Sequence, residues 1–209
     1  MSQSLGSISS KRRKKPTPIT ILIDTREQFP LDFSATEGVT AETGTVWPGD
    51  YTVKGGWEKS IAFERKSVGD LIGTMKEGYV GKDSIRRYES RFDLELEEFE
   101  RHFDRAYIVI EPDKPDVIRK CGGDPEGCDA ATQIENHWYV SAIEPYKVIG
   151  FIRSLRNTYG VQVVLCRDRE ESAEFIAETA REYLRARRHV IHREKIRKAE
   201  AKISEESPF

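Results

Sequence analysis

Three carboxylates in the first third of the chain sit where strand-like runs give way to charge: Asp24 after ITILI, Asp50 after a Pro-Gly pair, and Glu64 inside AFERKS. Lys66 follows Glu64 by two residues. On an extended strand the two therefore share a face, and Arg65 points to the other. Gly49-Asp50, thirteen intervening residues, then Glu64-x-Lys66 is an acid followed by an acid–lysine pair on the next strand. Hard oxygen donors of this kind suit Mg²⁺ or Mn²⁺, which keep several waters and accept a phosphate oxygen. A cation held there polarises a phosphodiester and lowers the pKa of a bound water. Lys66 can orient that water or neutralise developing negative charge. An acid followed by Glu-x-Lys also arises by chance, so the elements that must bring these residues together carry weight of their own.

Ile19–Ile23 reads as a central strand, ending at once in Asp24-Thr25-Arg26-Glu27. Residues 28–44 read as a loop with little regular structure. Thr45–Trp47 and Asp50–Val53 are extended pieces around the Pro48-Gly49 turn. Gly55-Gly56 turns the chain again and Ser60–Glu64 returns as a strand, which makes a hairpin and brings Asp50 alongside Glu64. Ser67-Val68-Gly69-Asp70 fits a capping box, so a short helix begins near Val68. From Asp83 an apolar stripe of Ile85, Tyr88, Phe92, Leu96, Phe99 and Phe103 predicts a long helix, with the acids of residues 89–104 mainly on its outer side. Ala106–Glu111 is a buried strand. Residues 112–142, rich in Pro and Gly, read as an insertion or long loop. A helix over Glu144–Tyr159, a strand over Val161–Leu165 and a last helix with Ser172 as N-cap complete an α/β domain, a mixed sheet covered by helices.

The chain of 209 residues, with 37% hydrophobic and 33% charged content, is long enough for one domain with a core. No apolar run approaches the roughly 20 residues that span a bilayer. The N-terminus lacks the apolar stretch of a secretory leader. Three cysteines, Cys121, Cys128 and Cys166, do not make a disulfide framework. These features predict an intracellular protein: cytoplasmic in a phage or prokaryotic setting, nuclear in a eukaryotic one. The net charge of −2 argues against indiscriminate nucleic-acid binding, but its distribution is uneven. Residues 11–15 are KRRKK, and Arg185–Lys198 carries seven Lys or Arg against Glu194 alone. Local basic patches on a near-neutral chain are compatible with a polyanion along one face, and equally with solvated helix faces and a tail. Residues 1–17 are expected to be a disordered basic tail and 186–209 a basic helical extension and tail.

The fuller string Glu64-Arg65-Lys66-Ser67-Val68-Gly69-Asp70 has the form ERKxxxD, preceded by Gly49-Asp50 and by Ile23-Asp24-Thr25-Arg26-Glu27. Together these resemble the nuclease domain of the XPF family, the structure-specific endonucleases that cut branched DNA. The resemblance covers residues 18–111 and extends through the strand at 161–165 and the helix after Ser172, giving an XPF-like domain over 18–185. It implies a restriction-endonuclease-like mixed β-sheet flanked by helices, a divalent metal, and hydrolysis with no covalent enzyme intermediate. By position, Asp24, Asp50 and Glu64 correspond to the metal-binding carboxylates and Lys66 to the catalytic lysine. Arg65 and Asp70 match motif residues needed for activity. Arg65, facing away from Glu64, is expected to pair with Asp70 or Glu27 and brace the site from behind; Asp70 also serves as a helix cap. The resemblance further implies branched or flapped DNA as partner, homodimers, and roles in repair or recombination.

Arg26, Lys76, Lys82, Arg86 and Arg87 flank the proposed site and are the candidate phosphate contacts. After the short helix the family commonly shows Gly-Arg, a Gln and a basic residue; here Arg86 fits, while Tyr79 and Asp83 do not. The tandem helix-hairpin-helix modules of cellular members are missing from this sequence, as expected of a stand-alone form from a phage or mobile element. Two other functions stay open: a non-catalytic DNA-binding scaffold of the same family, and a general Holliday-junction or restriction-type nuclease. Cys121-x6-Cys128 with His137 and Cys166 has the wrong spacing for zinc. His102 reads as a surface residue, and Trp138-Tyr139 as loop packing or a base-stacking pair.

Overall fold

The structure is a computed structural model that describes residues 15–55, 60–77, 91–136 and 143–206. Its sheet is built from β1 (Ile19–Asp24), β2 (Val39–Gly44), β3 (Tyr51–Val53), β4 (Ile61–Ser67), β5 (Arg105–Glu111) and β6 (Gln162–Leu165). The six strands lie in the order β2-β1-β3-β4-β5-β6. β3 runs antiparallel to β1 and β4, while β1–β2, β4–β5 and β5–β6 are parallel pairs. Around the sheet are α1 (Val68–Glu77), α2 (Arg91–His102), α3 (Pro115–Lys120), α4 (Ala130–Glu135), α5 (Pro145–Tyr159) and α6 (Arg169–Glu206).

Strand alternation sorts the core onto two faces. On β4, Ile61 and Phe63 join Tyr107 and Val109 of β5 against Ile176, Ala180 and Leu184 of α6. Ala62, with Ile108 and Ile110, faces Leu71 of α1, Phe92 and Phe99 of α2 and Leu155 of α5. The hairpin and capping box appear where the sequence places them: Tyr51 pairs with Phe63, and the Ser67 hydroxyl accepts from the Asp70 amide at 3.1 Å.

Several expectations are corrected. Residues 28–44 are not all loop, because Val39–Gly44 forms β2 in parallel register with β1. Residues 112–142 carry two short helices, and Ala130 and Ile134 of α4 enter the core. Gln133, wholly buried, binds Asp113 through both its amide nitrogen and its carbonyl, which fixes α4 beside β5. α6 starts at Arg169, its first turn held by Asp168 accepting from the Glu171 amide at 2.8 Å; Ser172 is already inside it. Ile85 and Tyr88 of the long stripe, His137, Trp138 and Tyr139 lie outside the described residues.

The turn that delivers Asp50 depends on Gly49. Its φ of +99° is in the range glycine favours, and a Cβ there would stand 3.1 Å from both the Phe63 carbonyl oxygen and the Phe99 ring. Gly49→Ala is expected to cost about 1–3 kcal/mol. The check is thermal unfolding, where an unchanged Tm would show that the turn relaxes freely.

Candidate active site

The antiparallel run of β3 places its first residues beside the last residues of β1. Parity then settles which way the side chains point. Ile19, Ile21 and Ile23 face α6, so Asp24 faces the opposite side with Glu64 and Lys66. The three carboxylate-bearing residues lie on neighbouring strands joined by backbone hydrogen bonds: Asp24 N to Asp50 O at 2.8 Å, and Asp50 N to Phe63 O at 2.9 Å. Asp24, Asp50, Glu64 and Lys66 line one open cleft of about 540 Å³, closed on the α2 side by Phe92 and Glu95.

Each of these side chains is held differently. Asp24 is 2% exposed: its Oδ1 accepts from Arg26 N at 2.9 Å and Arg26 Nε at 2.6 Å, and its Oδ2 from Val46 N at 2.7 Å. Burial opposes the Asp24 anion, but the hydrogen bonds from Arg26 and Val46 prevail and its pKa is lowered. Asp24 thus ties the end of β1 to the loop before Asp50 while sharing the cleft wall. Asp50 Oδ2 accepts from the Arg65 amide at 2.8 Å. Burial, then the Glu64 charge, push the Asp50 carboxyl up to about 8. Glu64 Oε1 accepts from Lys66 Nζ at 2.8 Å, and that ammonium also lies 4.7 Å from the centre of the Phe92 ring. Burial disfavours the Lys66 cation, but Glu64 outweighs it and the Lys66 pKa is raised, so the ammonium is charged at neutral pH.

Glu95 is a member that the sequence analysis did not single out. It lines the cleft, where burial and then the Glu64 charge push its carboxyl up to about 7. The signal was its position three residues after Phe92 and four before Phe99, beside the buried stripe. Arg91, one helix turn earlier, lines the same cleft.

Behind the cleft, Arg65 points to the α6 side as its parity requires. Its Nη2 reaches Glu27 at 2.9 Å and its Nη1 reaches Glu111 at 2.5 Å. The expected pairing with Glu27 is therefore present, while the second partner is Glu111 and not Asp70, which caps α1 with Ser67. All three side chains are nearly buried, at 12%, 7% and 5% exposure for Arg65, Glu27 and Glu111. Burial works against the guanidinium, yet the Glu111 and Glu27 charges raise its pKa. Arg169 of α6 adds a second cation to Glu111 at 3.0 Å. Arg65 Nε and Glu111 Oε2 remain buried without a hydrogen-bond partner.

Of the candidate phosphate contacts, Arg26 lies over Trp47 at 5.1 Å and donates to the Val46 carbonyl, on the cleft wall. Lys76 is exposed in the last turn of α1. Lys82, Arg86 and Arg87 lie outside the described residues. His102 pairs with Glu98 at the surface, and Cys121, Cys128 and Cys166 are free thiols. A larger cleft of about 1260 Å³ lies on the other side of Arg65 and Asp70, bordered by Phe29, Pro112, Pro115 and Val117. Of its carboxylates, Glu111 meets Arg65 and Arg169, Asp70 and Asp168 cap helices, and Asp113 accepts from Gly69 and Gln133.

The model of the ERCC4 domain matches residues 23–179. The chain belongs to the ERCC4 domain family. Among curated proteins no sequence matches it. The solved structure of XPF from Aeropyrum pernix is similar, with a TM-score of 0.52 and 20% identity over 78% of this chain and 60% of that one. The same protein in complex with DNA gives a TM-score of 0.54 and 19% identity over 80% of this chain and 66% of that one. This ERCC4 domain chain thus spans about 60% of the first of these. At such identity the likeness speaks for the fold: the six-stranded mixed sheet flanked by helices is the XPF nuclease fold.

Do these residues suit a divalent cation? In kind they do. Asp50, Glu64 and Glu95 offer hard oxygens in one cleft, and the raised Asp50 and Glu95 values mark a local surplus of negative charge. In position they are not yet a cage: among the described residues no group of three or more His, Cys, Asp or Glu is arranged to hold a metal. Glu64 is turned onto Lys66 instead.

Two predictions follow from these charges. Removing the guanidinium in Arg65→Met leaves Glu27 and Glu111 buried without their shared cation, which costs roughly 3 kcal/mol or more. That should appear as a fall in Tm of on the order of 10 °C; a variant as stable as the parent would show the brace to be idle. The second concerns pH. Asp50 and Glu95 have folded values near 8 and 7 against ordinary values of 3.8 and 4.5, so the folded chain binds more protons than the unfolded between those limits. Their contribution is favourable below the unfolded values and is lost as pH rises through about 7 to 8. Asp50→Asn keeps an acceptor for the Arg65 amide and removes the charge. In EDTA its Tm should match the parent below about pH 3.8, where the unfolded carboxyl is itself protonated, and exceed it increasingly from there towards pH 8. A constant difference would refute the crowding.

Proposed function

We propose that this chain is a divalent-metal-dependent endonuclease that hydrolyses phosphodiester bonds in branched or single-strand-containing DNA. The observation that carries it is the convergence of Asp24, Asp50, Glu64 and Lys66, from β1, the start of β3 and the end of β4, on one face of an open cleft. Membership in the ERCC4 domain family and the XPF fold support the substrate class, and one XPF structure of that fold is a complex with DNA.

Asp50 and Glu64 are the residues proposed to hold Mg²⁺ or Mn²⁺, with Glu95 as the neighbouring donor and Asp24 keeping the loop of Val46 and Gly49 in place. The bound ion would supply Lewis-acid polarisation of the phosphate and a water of lowered pKa. Binding it requires Asp50 to be an anion, so the proton that burial and Glu64 retain on this carboxyl must leave. Lys66 is positioned to trade its bond with Glu64 for one with the attacking water or a phosphate oxygen, stabilising the charge that develops there. Arg26 and Arg91 on the cleft rim are the proposed backbone contacts. Arg65 is a positioning residue: its amide orients Asp50 and its side chain braces β4 from the other face.

The test is cleavage of labelled flapped, forked, junction and linear DNAs with Mg²⁺, with Mn²⁺ and with EDTA. Cleavage is expected with metal and absent in EDTA. Glu64→Gln should lower it by on the order of 10²-fold or more with no loss of Tm, and Lys66→Ala should lower it similarly. If both variants cut as fast as the parent, this assignment is wrong.

A further inference from the structure

Trp47 sits among residues that the fold pins tightly. Val46 before it is buried and donates its amide to Asp24 Oδ2 at 2.7 Å, and Pro48 and Gly49 after it are buried. Trp47 itself is 49% exposed. The loop thus turns one large ring outward while its backbone is fixed on either side, three residues before Asp50. Apolar side chains exposed singly are ordinary on a protein surface and need no explanation. Eight large ones are exposed among the described residues, and Trp47 is the one of them that lines the cleft of Asp24, Asp50, Glu64 and Lys66.

Its neighbour on the cleft wall is a cation. The Arg26 guanidinium lies over the ring, 5.1 Å from its centre. Its Nε is engaged by Asp24 and its Nη2 by the Val46 carbonyl, which holds it in place against the indole, while the side chain as a whole stays 56% exposed. An indole backed in this way is a rigid flat surface with little rotamer freedom to lose on contact. Every nucleobase has a π-face that stacks on such a ring with little regard to sequence, and arginine adds a cation–π contribution. In a continuous duplex each base is covered on both sides by its neighbours, so presenting a face means opening the stack. An unpaired base presents one without that cost. A second copy of the chain seated on Trp47 would instead set two acid-rich clefts against each other.

We propose that Trp47 is a specificity-determining residue: its indole stacks on an unpaired base beside the phosphodiester held in the cleft, and Arg26 meets the adjoining phosphate. The inference rests on the reading above for the choice of DNA as occupant of this cleft. It adds a named side chain that tells an opened strand from continuous duplex, by a contact that needs neither the metal nor the carboxylates.

The test measures Kd for the full chain in EDTA with three fluorescent DNAs: a fork with thymine arms, the same fork with abasic arms that keep every phosphate, and a continuous duplex. The parent is expected to bind the thymine fork about tenfold more tightly than the abasic one. Trp47→Ala should erase that difference and leave the abasic fork and the duplex unchanged, with circular dichroism matching the parent. Trp47→Tyr, which keeps a ring, should retain the preference. A parent indifferent to the bases of the arms overturns the proposal. So does a Trp47→Ala variant that keeps the preference, that weakens all three DNAs alike, or that changes only the mass in solution, the mark of a second copy on this ring. Adding Mg²⁺ or Mn²⁺ separates the two readings. If the preference depends on Trp47 but no DNA is cut, the nuclease reading fails and the stacking assignment stands. If DNA is cut and the preference is independent of Trp47, the reverse holds.

Discussion

Arg65 works on both faces of β4 at once. Its backbone amide holds Asp50 in the cleft, and its side chain, sent the other way by strand alternation, is clamped between Glu27 and Glu111. Glu64 and Lys66 flank it in sequence and so face the cleft. One residue's position therefore sets the direction of three charges and the register of a fourth. If β4 slipped by one residue, Glu64 and Lys66 would move into the apolar layer beside α6 and Arg65 would enter the cleft. The buried Arg65 cluster resists that slip, because a displaced guanidinium would leave two nearly buried carboxylates facing each other.

The two faces differ in charge balance. Behind β4, two carboxylates meet two guanidiniums, from Arg65 and Arg169. In the cleft, Asp50, Glu64 and Glu95 share Lys66, with Arg91 at the rim. Burial and mutual repulsion then raise two of the three acids towards neutrality. A site tuned only for stability would have one fewer acid or one more cation. Carboxyls whose pKa is raised by burial and by like charges in a cleft are of the kind that marks functional sites.

The parts of this arrangement legible in the sequence were those with a local rule behind them. ITILI, the β3–β4 pairing, the Ser67–Asp70 cap and the Val148–Leu155 helix each carry a period, turn or capping signal, and each is present. β2 escaped because VTAETG lies at the sheet edge, mostly exposed, with no apolar alternation to read. α4 escaped because a long-range bond between Gln133 and Asp113, twenty residues apart, places a short helix in a stretch whose glycines and prolines suggested a loop. Ser172 and Asp168 are both good caps, and the choice fell to Asp168, whose carboxylate accepts the Glu171 amide. In the site, parity predicted which way Arg65 points, but Glu111 could be known only once β5 lay beside β4 in register, with Ser67 opposite Glu111. Glu95 was hidden for the same reason: helical period told that it borders the apolar stripe, not that this border meets the carboxylates.

α6 supports the cleft from behind. Its first residue, Arg169, pairs with Glu111 and donates to the Phe29 and Pro30 carbonyls, so the helix that packs the apolar face of the sheet also holds one of the two carboxylates that clamp Arg65. The carboxylates of the cleft open on the face of the sheet opposite α6, so the charge balance behind β4 and the surplus of acid in front of it are set by different elements.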